Sequence, residues 1–251
     1  MRKIAAAVAA LLTSTVLGNA ADLLPFKAPA PISTFAWDGF YLGVNAGYAW
    51  GSNSWTSGGV FESPVLSAGN ANPSFNHVLG GVQGGANYQI GSWVVGIEAD
   101  VSALGAKGSD TEAVSGIGLP GVFTTADSQI DWLALVTGRV GYAWDRALFY
   151  AKGGVAGGDT KDSFALFSHT GVPAFLDFGT KTNLMVGWTV GGGIEYAFAP
   201  RWTAKIEYDY VDLGTNSENF NILSSGTTVT FREDINHTAN IVKFGANYRF
   251  P

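Results

Sequence analysis

Tyr88, Tyr142, Tyr196 and Tyr248 recur at intervals of 54, 54 and 52 residues. Each lies in a run that alternates apolar with small or polar residues: VQGGANYQI, VTGRVGYAW, TVGGGIEYAF and IVKFGANYRF. A period of this length exceeds one strand and falls short of one domain. It fits a pair of strands joined by one short and one long connection. Four such pairs make eight strands, a number that closes a barrel. A propeller with a repeat of about 50 residues is the fold-level rival. Its blades need four strands per period, and this chain supplies two.

Period-two patterning marks eight segments. They are 40–50, 78–90, 93–103, 130–142, 147–157, 184–198, 202–211 and 240–250. In the first, Phe40, Leu42, Val44, Ala46, Tyr48 and Trp50 lie on one face, opposite Tyr41, Gly43, Asn45, Gly47 and Ala49. The fourth sets Trp132, Ala134, Val136, Val140 and Tyr142 against Asp131, Thr137 and Arg139, with Leu133 and Leu135 breaking the polarity. Connections near Gly91, Asp145 and Pro200 are tight. Those over 51–77, 104–129, 158–183 and 212–237 are long and rich in Ser, Thr, Asn and Gly. The predicted fold class is therefore all-β: an eight-stranded antiparallel up-and-down transmembrane β-barrel with long outer loops and short periplasmic turns.

Composition agrees with strands that face lipid. The 251 residues are 47% apolar and only 14% charged, below the roughly 25% charged of soluble domains. Arg2 and Lys3, the apolar stretch Ile4–Leu17 and Gly18-Asn19-Ala20 read as a secretory signal over 1–20, cleaved after Ala20. Residues 21–36, with Pro25, Pro29 and Pro31, read as an extended leader, and 37–251 as the barrel. Loss of Arg2 and Lys3 takes the formal net charge from −6 to −8. An acidic export product without basic clusters is not a nucleic-acid binder. The chain has no cysteine, so disulfides and thiolate chemistry are excluded.

The two faces differ in charge. The face opposite the aliphatic and aromatic one carries Arg139, Lys152, Lys205, Lys243 and Arg249 together with Glu98, Asp100, Asp131, Glu195, Glu207 and Asp209. A Lys or Arg on the lipid face costs about 2–4 kcal/mol at the midplane. Inside a narrow barrel the same charges can neutralise one another, so they are expected to plug the lumen. Glu195 and Lys205 flank the Pro200 turn and should be cross-strand neighbours; Glu207 and Lys243 are a second expected pair. Tyr88, Tyr142, Tyr196 and Tyr248 are expected to form an aromatic girdle at the tight-turn end, with Trp50 and Trp188 at the opposite rim.

These residues resemble a known family. Trp37-x-Gly39-x-Tyr41-x-Gly43-x-Asn45-x-Gly47-Tyr48, Gly80-Gly81-Val82-Gln83, Gly96-x-Glu98-x-Asp100 and Arg139-x-Gly141-Tyr142 resemble the alphaproteobacterial small outer-membrane β-barrel proteins. Gly187-Trp188-Thr189-x-Gly191-x-Gly193-x-Glu195-Tyr196, Lys205-x-Glu207-Tyr208-x-Tyr210 and Gly245-x-Asn247-Tyr248-x-Phe250 continue the likeness. These proteins are often labelled the porin family and are related to the OmpA-like transmembrane barrel. Together the motifs cover 37–250. The resemblance implies an outer-membrane location and a mainly structural or surface role. Some outer-membrane barrels are hydrolases or acyltransferases, but no catalytic motif accompanies the histidines here, so neither enzymatic activity nor a cofactor is expected. It also implies contact with outer-membrane lipids, lipopolysaccharide, periplasmic chaperones and the barrel-assembly machinery. A small diffusion pore and a haem-binding surface protein are the alternatives within it. Pro251 follows Phe250, one residue past the aromatic on which such chains usually end.

Few residues point to other chemistry. Gly116-x-Gly118-x-x-Gly121 matches a dinucleotide fingerprint as a string but falls in a predicted loop with Pro120 inside it. His77, His169 and His237 lie in outer connections and read first as solvated loop residues. An outer histidine serving as an axial haem ligand is the alternative reading. Their spacing offers no local metal site.

Overall fold

The alternating segments build one continuous wall. In the computed structural model the chain is described over residues 35–60, 74–113, 122–168, 178–224 and 227–250. The expected signal and most of the leader, the Gly116 motif, His169 and Pro251 lie outside the described residues. The strands are β1 (Gly39–Val60), β2 (Ser74–Ile90), β3 (Trp93–Ala113), β4 (Val122–Trp144), β5 (Ala147–Ser168), β6 (Phe178–Ala199), β7 (Trp202–Ser224) and β8 (Thr227–Arg249). Each pairs antiparallel with the next, and β8 returns to β1 to close the barrel. Closure satisfies the backbone and leaves no sheet edge. Gly91 (φ +63°) and Asp145 (φ +52°) hold left-handed conformations in two of the tight turns, the geometry that matches hairpin twist.

The two faces separate as the alternation requires. Phe40, Leu42 and Val44 on β1, Val82 and Tyr88 on β2, Ile97 on β3, Val136 on β4 and Phe244 on β8 all point outward and are exposed. The four recurrent tyrosines share this outer surface near the tight turns. Tyr142 packs edge-on against Trp93 at 5.7 Å, and Tyr248 against Trp202 at 5.2 Å. Trp50, Trp132 and Trp188 mark the opposite rim. From Tyr142 to Trp132, at roughly 3.4 Å per residue and a tilt of about 40°, the apolar band is about 25 Å tall.

The strands overrun that band. They are 17 to 23 residues long, whereas crossing a bilayer takes about 9–11. The long outer connections expected from sequence are therefore largely strand, and the barrel wall continues beyond the outer rim. The physical reason is that above the rim the outer surface meets water. Its outward positions become polar, among them Ser52, Ser74, Asn76, Lys107 and Asp127, the hydrophobic alternation fades, and the hydrogen-bond ladder continues without it.

Inward glycines let eight strands curl this tightly. A Cβ added at Gly154 would stand 2.7 Å from Thr137 Cα, and one at Gly187 would stand 2.6 Å from Leu213 Cα. Both obstacles are backbone and cannot rotate away. Gly154→Val is expected to destabilise the folded barrel by about 1–3 kcal/mol, the usual cost of overpacking. Outward Gly153→Ala, whose Cβ meets only Thr189 O at 3.4 Å, is expected to leave the urea midpoint of the detergent-refolded protein unchanged. Equal midpoints for the two variants would refute the steric reading.

Three irregularities lie together near the outer rim. The register slips on β3 between Ala103 and Ala106, on β4 between Ile130 and Leu133, and on β7 between Asp212 and Thr215. Gly105 (φ +57°) and Gly214 (φ +83°) supply left-handed backbone at the first and third. Such bulges re-aim side chains. The β4 bulge corrects one expectation. Asp131 does not enter the lumen: it stands on the outer surface, where it accepts hydrogen bonds from Gln129 and Lys161. Ile130 turns inward instead, while Leu133 and Leu135 keep the expected face of Thr137 and Arg139.

Candidate functional site: the closed lumen

The inward side chains stack in layers along the barrel axis. At the tight-turn end lies an apolar lid of Trp37, Val94, Ala143, Leu148, Tyr150 and Ala197, with Phe35 packed against it. Trp37 precedes β1 and is fully buried. Its backbone N–H donates to Gln89 Oε1 at 2.7 Å, and its ring meets Phe35 edge-on at 5.0 Å. Arg249 covers this segment, with its guanidinium 4.6 Å from the Phe35 ring and 5.5 Å from the Trp37 ring. Arg249 also donates to the Asp38 carbonyl at 2.7 Å.

Above the lid is a charged layer. Glu207 on β7 lies at its centre, 2.5 Å from Lys152 Nζ, 3.1 Å from Lys205 Nζ and 3.3 Å from Lys243 Nζ. Tyr150 donates its hydroxyl to the same carboxylate at 2.7 Å. Glu98 pairs with Lys205 at 2.8 Å, with Lys152 and Arg139 at 3.5 Å, and accepts from the Tyr41 hydroxyl at 2.7 Å. Lys243 also reaches Asp100 and Asp209, each at 3.0 Å, and Lys152 reaches Asp209 at 3.1 Å. Arg139 pairs with Glu195 at 3.3 Å, donates to Asn87 at 2.9 Å and lies over the Tyr41 and Tyr150 rings. These nine charged side chains are all nearly fully buried.

Sequence spacing anticipates registers better than contacts. Glu195 stands opposite Lys205 and Glu207 opposite Lys243 in the ladder. Glu207 and Lys243 also touch. Lys205 instead crosses the lumen to Glu98, while Glu195 accepts from Thr203 at 2.5 Å and Asn247 at 2.9 Å. The carboxylate oxygens of Glu98, Asp100 and Glu207 lie within 4.8 Å of one another, a spacing that suits a cation. Lys152, Lys205 and Lys243 already supply that positive charge.

A second apolar layer closes the outer side, with Leu79, Leu104, Ile130, Leu133, Leu135, Met185, Val211 and Ile241 among its members. Only the odd polarity of Leu133 and Leu135 hinted at it in the sequence. Farther out, buried His237 sits with Nδ1 3.1 Å from Asn53 Oδ1 and Nε2 3.5 Å from Asp162 Oδ2. Ser128 donates to the other oxygen of Asp162 at 2.6 Å. His77 is exposed on β2, with its Nδ1 2.9 Å from the Val78 carbonyl. His237 is thus no solvated loop residue, and it is not grouped with His77.

This architecture has relatives. The sequence matches the outer membrane protein beta-barrel domain over residues 7–250, nearly its whole length. The chain belongs to the outer-membrane β-barrel family. It is similar to the 31 kDa outer-membrane immunogenic protein of Brucella melitensis, at 34% identity over 98% of each chain. It is also similar to the 22 kDa outer membrane protein of Rhizobium leguminosarum, at 30% identity over 86% of this chain and 79% of that one. The 25 kDa outer-membrane immunogenic protein of Brucella abortus is 25% identical over 96% and 95%. This outer-membrane barrel therefore meets lipid with its aromatic-rimmed band. Its short turns correspond to the periplasmic side and its long strand extensions to the cell surface.

Proposed function

We propose that the barrel is a closed structural element of the envelope that holds its strand extensions and outer connections at the cell surface. The observation that carries this reading is the sequence of layers in the lumen: apolar lid, neutralised charges, apolar lid. Water and solutes have no continuous polar path through such a stack. Outer-membrane lipid and lipopolysaccharide surround the barrel in this reading, and periplasmic chaperones and the assembly machinery deliver it. The name given to the Brucella relatives, immunogenic protein, supports a surface-exposed role.

The polar group near the outer end does not favour enzymatic activity. Among the described residues Ser128 donates to Asp162 and His237 lies against Asn53 and Asp162, so the serine–histidine pairing that activates a nucleophile is not assembled there. Planar-bilayer recording tests the closed lumen. Insertion of the purified barrel is expected to give no stable openings on the scale of ordinary porins. Such openings would overturn the closed reading in favour of a small diffusion pore. In a parallel haem titration, no change is expected at the Soret band. A saturable change would move the function towards ligand capture.

A further inference from the structure

Beyond the second apolar layer, two cross-strand pairs from opposite walls of the barrel meet in the lumen. Asn53 on β1 stands opposite His237 on β8, and Ser128 on β4 stands opposite Asp162 on β5. All four side chains are buried, His237 and Asp162 completely. Asn53 Oδ1 can only accept, so the His237 ring carries a proton at Nδ1, where the bond to Asn53 is 3.1 Å. In the neutral ring Nε2 then holds a lone pair, and it faces Asp162 Oδ2 at 3.5 Å. Ser128 holds the other oxygen of Asp162 at 2.6 Å. Neither Nε2 nor Oδ2 has a hydrogen-bond partner. The hydroxyl of Thr160, buried two positions before Asp162 on β5, lacks one as well.

Two acceptor atoms that face each other in a buried space repel unless positive charge lies between them. A shared proton would draw them to about 2.7–2.9 Å, the length of a charge-assisted N–H···O bond. The observed separation is wider. It matches two ligands of one cation: metal bonds of about 2.1 Å at a tetrahedral angle put the ligand atoms roughly 3.4 Å apart. The surroundings fit the same role. A ligating histidine ordinarily donates its other ring N–H to an oxygen, and a ligating carboxylate is hydrogen-bonded in turn. Asn53 receives that N–H, and Ser128 supplies that hydrogen bond.

We infer that His237 and Asp162 bind a divalent transition-metal cation of the zinc class. Nε2 and Oδ2 are the protein ligands, and water completes the shell. An imidazole nitrogen favours such ions over magnesium and calcium, which take oxygen donors. Binding neutralises the Asp162 carboxylate and ties β8 to β5 across the lumen. His237 finds its co-ligand on a far strand, so the spacing of histidines along the chain carries no trace of the pair. Complete burial of both ligands suits a bare ion rather than a macrocycle. The apolar layer separates this group from the charged layer, so the ion enters from the outer mouth. Nothing in this coordination depends on a closed lumen, which bilayer recording reads separately.

The test uses the untagged barrel, refolded in detergent and freed of metal with a chelator. Calorimetric titration with zinc is expected to show a single saturable site, and magnesium and calcium to show none. Cobalt(II) in place of zinc is expected to give the visible absorption of a four-coordinate nitrogen and oxygen site. His237→Gln and Asp162→Asn are expected to abolish both signals. His77→Gln, at an exposed histidine, should leave both unchanged. Each variant is read once its heat-dependent gel shift shows a folded barrel. Asn53→Ala and Ser128→Ala keep both ligands, so they decide the matter if a ligand variant does not fold; each should weaken zinc binding about tenfold. A wild-type barrel that takes up no zinc saturably would overturn the proposal. So would loss of the site in His77→Gln or its survival in His237→Gln, since either places the ion elsewhere.

Discussion

Glu207→Ala is expected to lower the stability of the folded barrel by about 3–5 kcal/mol, the cost of removing one partner from a buried ion network. The carboxylate lies within 3.3 Å of three ammonium groups and accepts the Tyr150 hydroxyl. Its loss leaves Lys152, Lys205 and Lys243 facing one another with their shared anion gone. Urea unfolding of the detergent-refolded protein reads the effect directly. Glu207→Gln, which keeps the shape and one acceptor, is expected to lose nearly as much, because charge rather than volume is missing. Added salt should restore little, since screening scarcely reaches buried pairs. Asp131→Asn is the matched control. That carboxylate serves an exposed pair on the outer wall, and its removal should leave the midpoint unchanged. If Glu207→Ala unfolds at the wild-type midpoint, the network does not hold the barrel together.

Trp37→Ala is expected to cost about 3–5 kcal/mol as well, by a different route. Trp37 lies outside the ladder, yet it is fully buried against Val94, Leu148 and Ala197. Truncation opens a cavity at the periplasmic mouth and removes one of the two rings beneath Arg249. Trp37→Phe separates packing from polarity. The indole Nε1 is buried without a hydrogen-bond partner, so exchanging it for a phenyl ring forfeits volume but no bond. A loss well below that of the alanine variant is expected. Equal losses for the two variants would show that the indole N–H, rather than packing, holds the segment.

The legible part of this fold is the part lipid imposes. Alternation at Phe40–Trp50 or Trp202–Tyr210 is sharp because one side must be apolar and the other need not be. The same logic separated ten of the eleven expected inward charges from the lipid side. Asp131 escaped it because a bulge on β4 adds a residue, and a single added residue inverts every side chain beyond it. Leu133 and Leu135, on the tight-turn side of that slip, keep the inward face of Thr137 and Arg139 and mark the apolar layer rather than the bulge. Strand ends were not legible, since above the rim neither face has to exclude water. Cross-lumen contacts such as Lys205 with Glu98 were hidden for another reason. Register fixes neighbours along the wall, whereas the opposite wall of a narrow barrel is equally close and leaves no periodic trace.

The charged layer also constrains how this sequence can change. Lys205 on β7 and Glu98 on β3 are 107 positions apart in the chain, and Lys243 and Asp100 are 143 apart. An acid lost on one strand strands a base on another, so single substitutions there are penalised and compensated pairs are not. Drift across the lumen should therefore proceed in linked steps, with distant strands covarying. Neighbouring lipid-facing positions are free to exchange one apolar side chain for another independently.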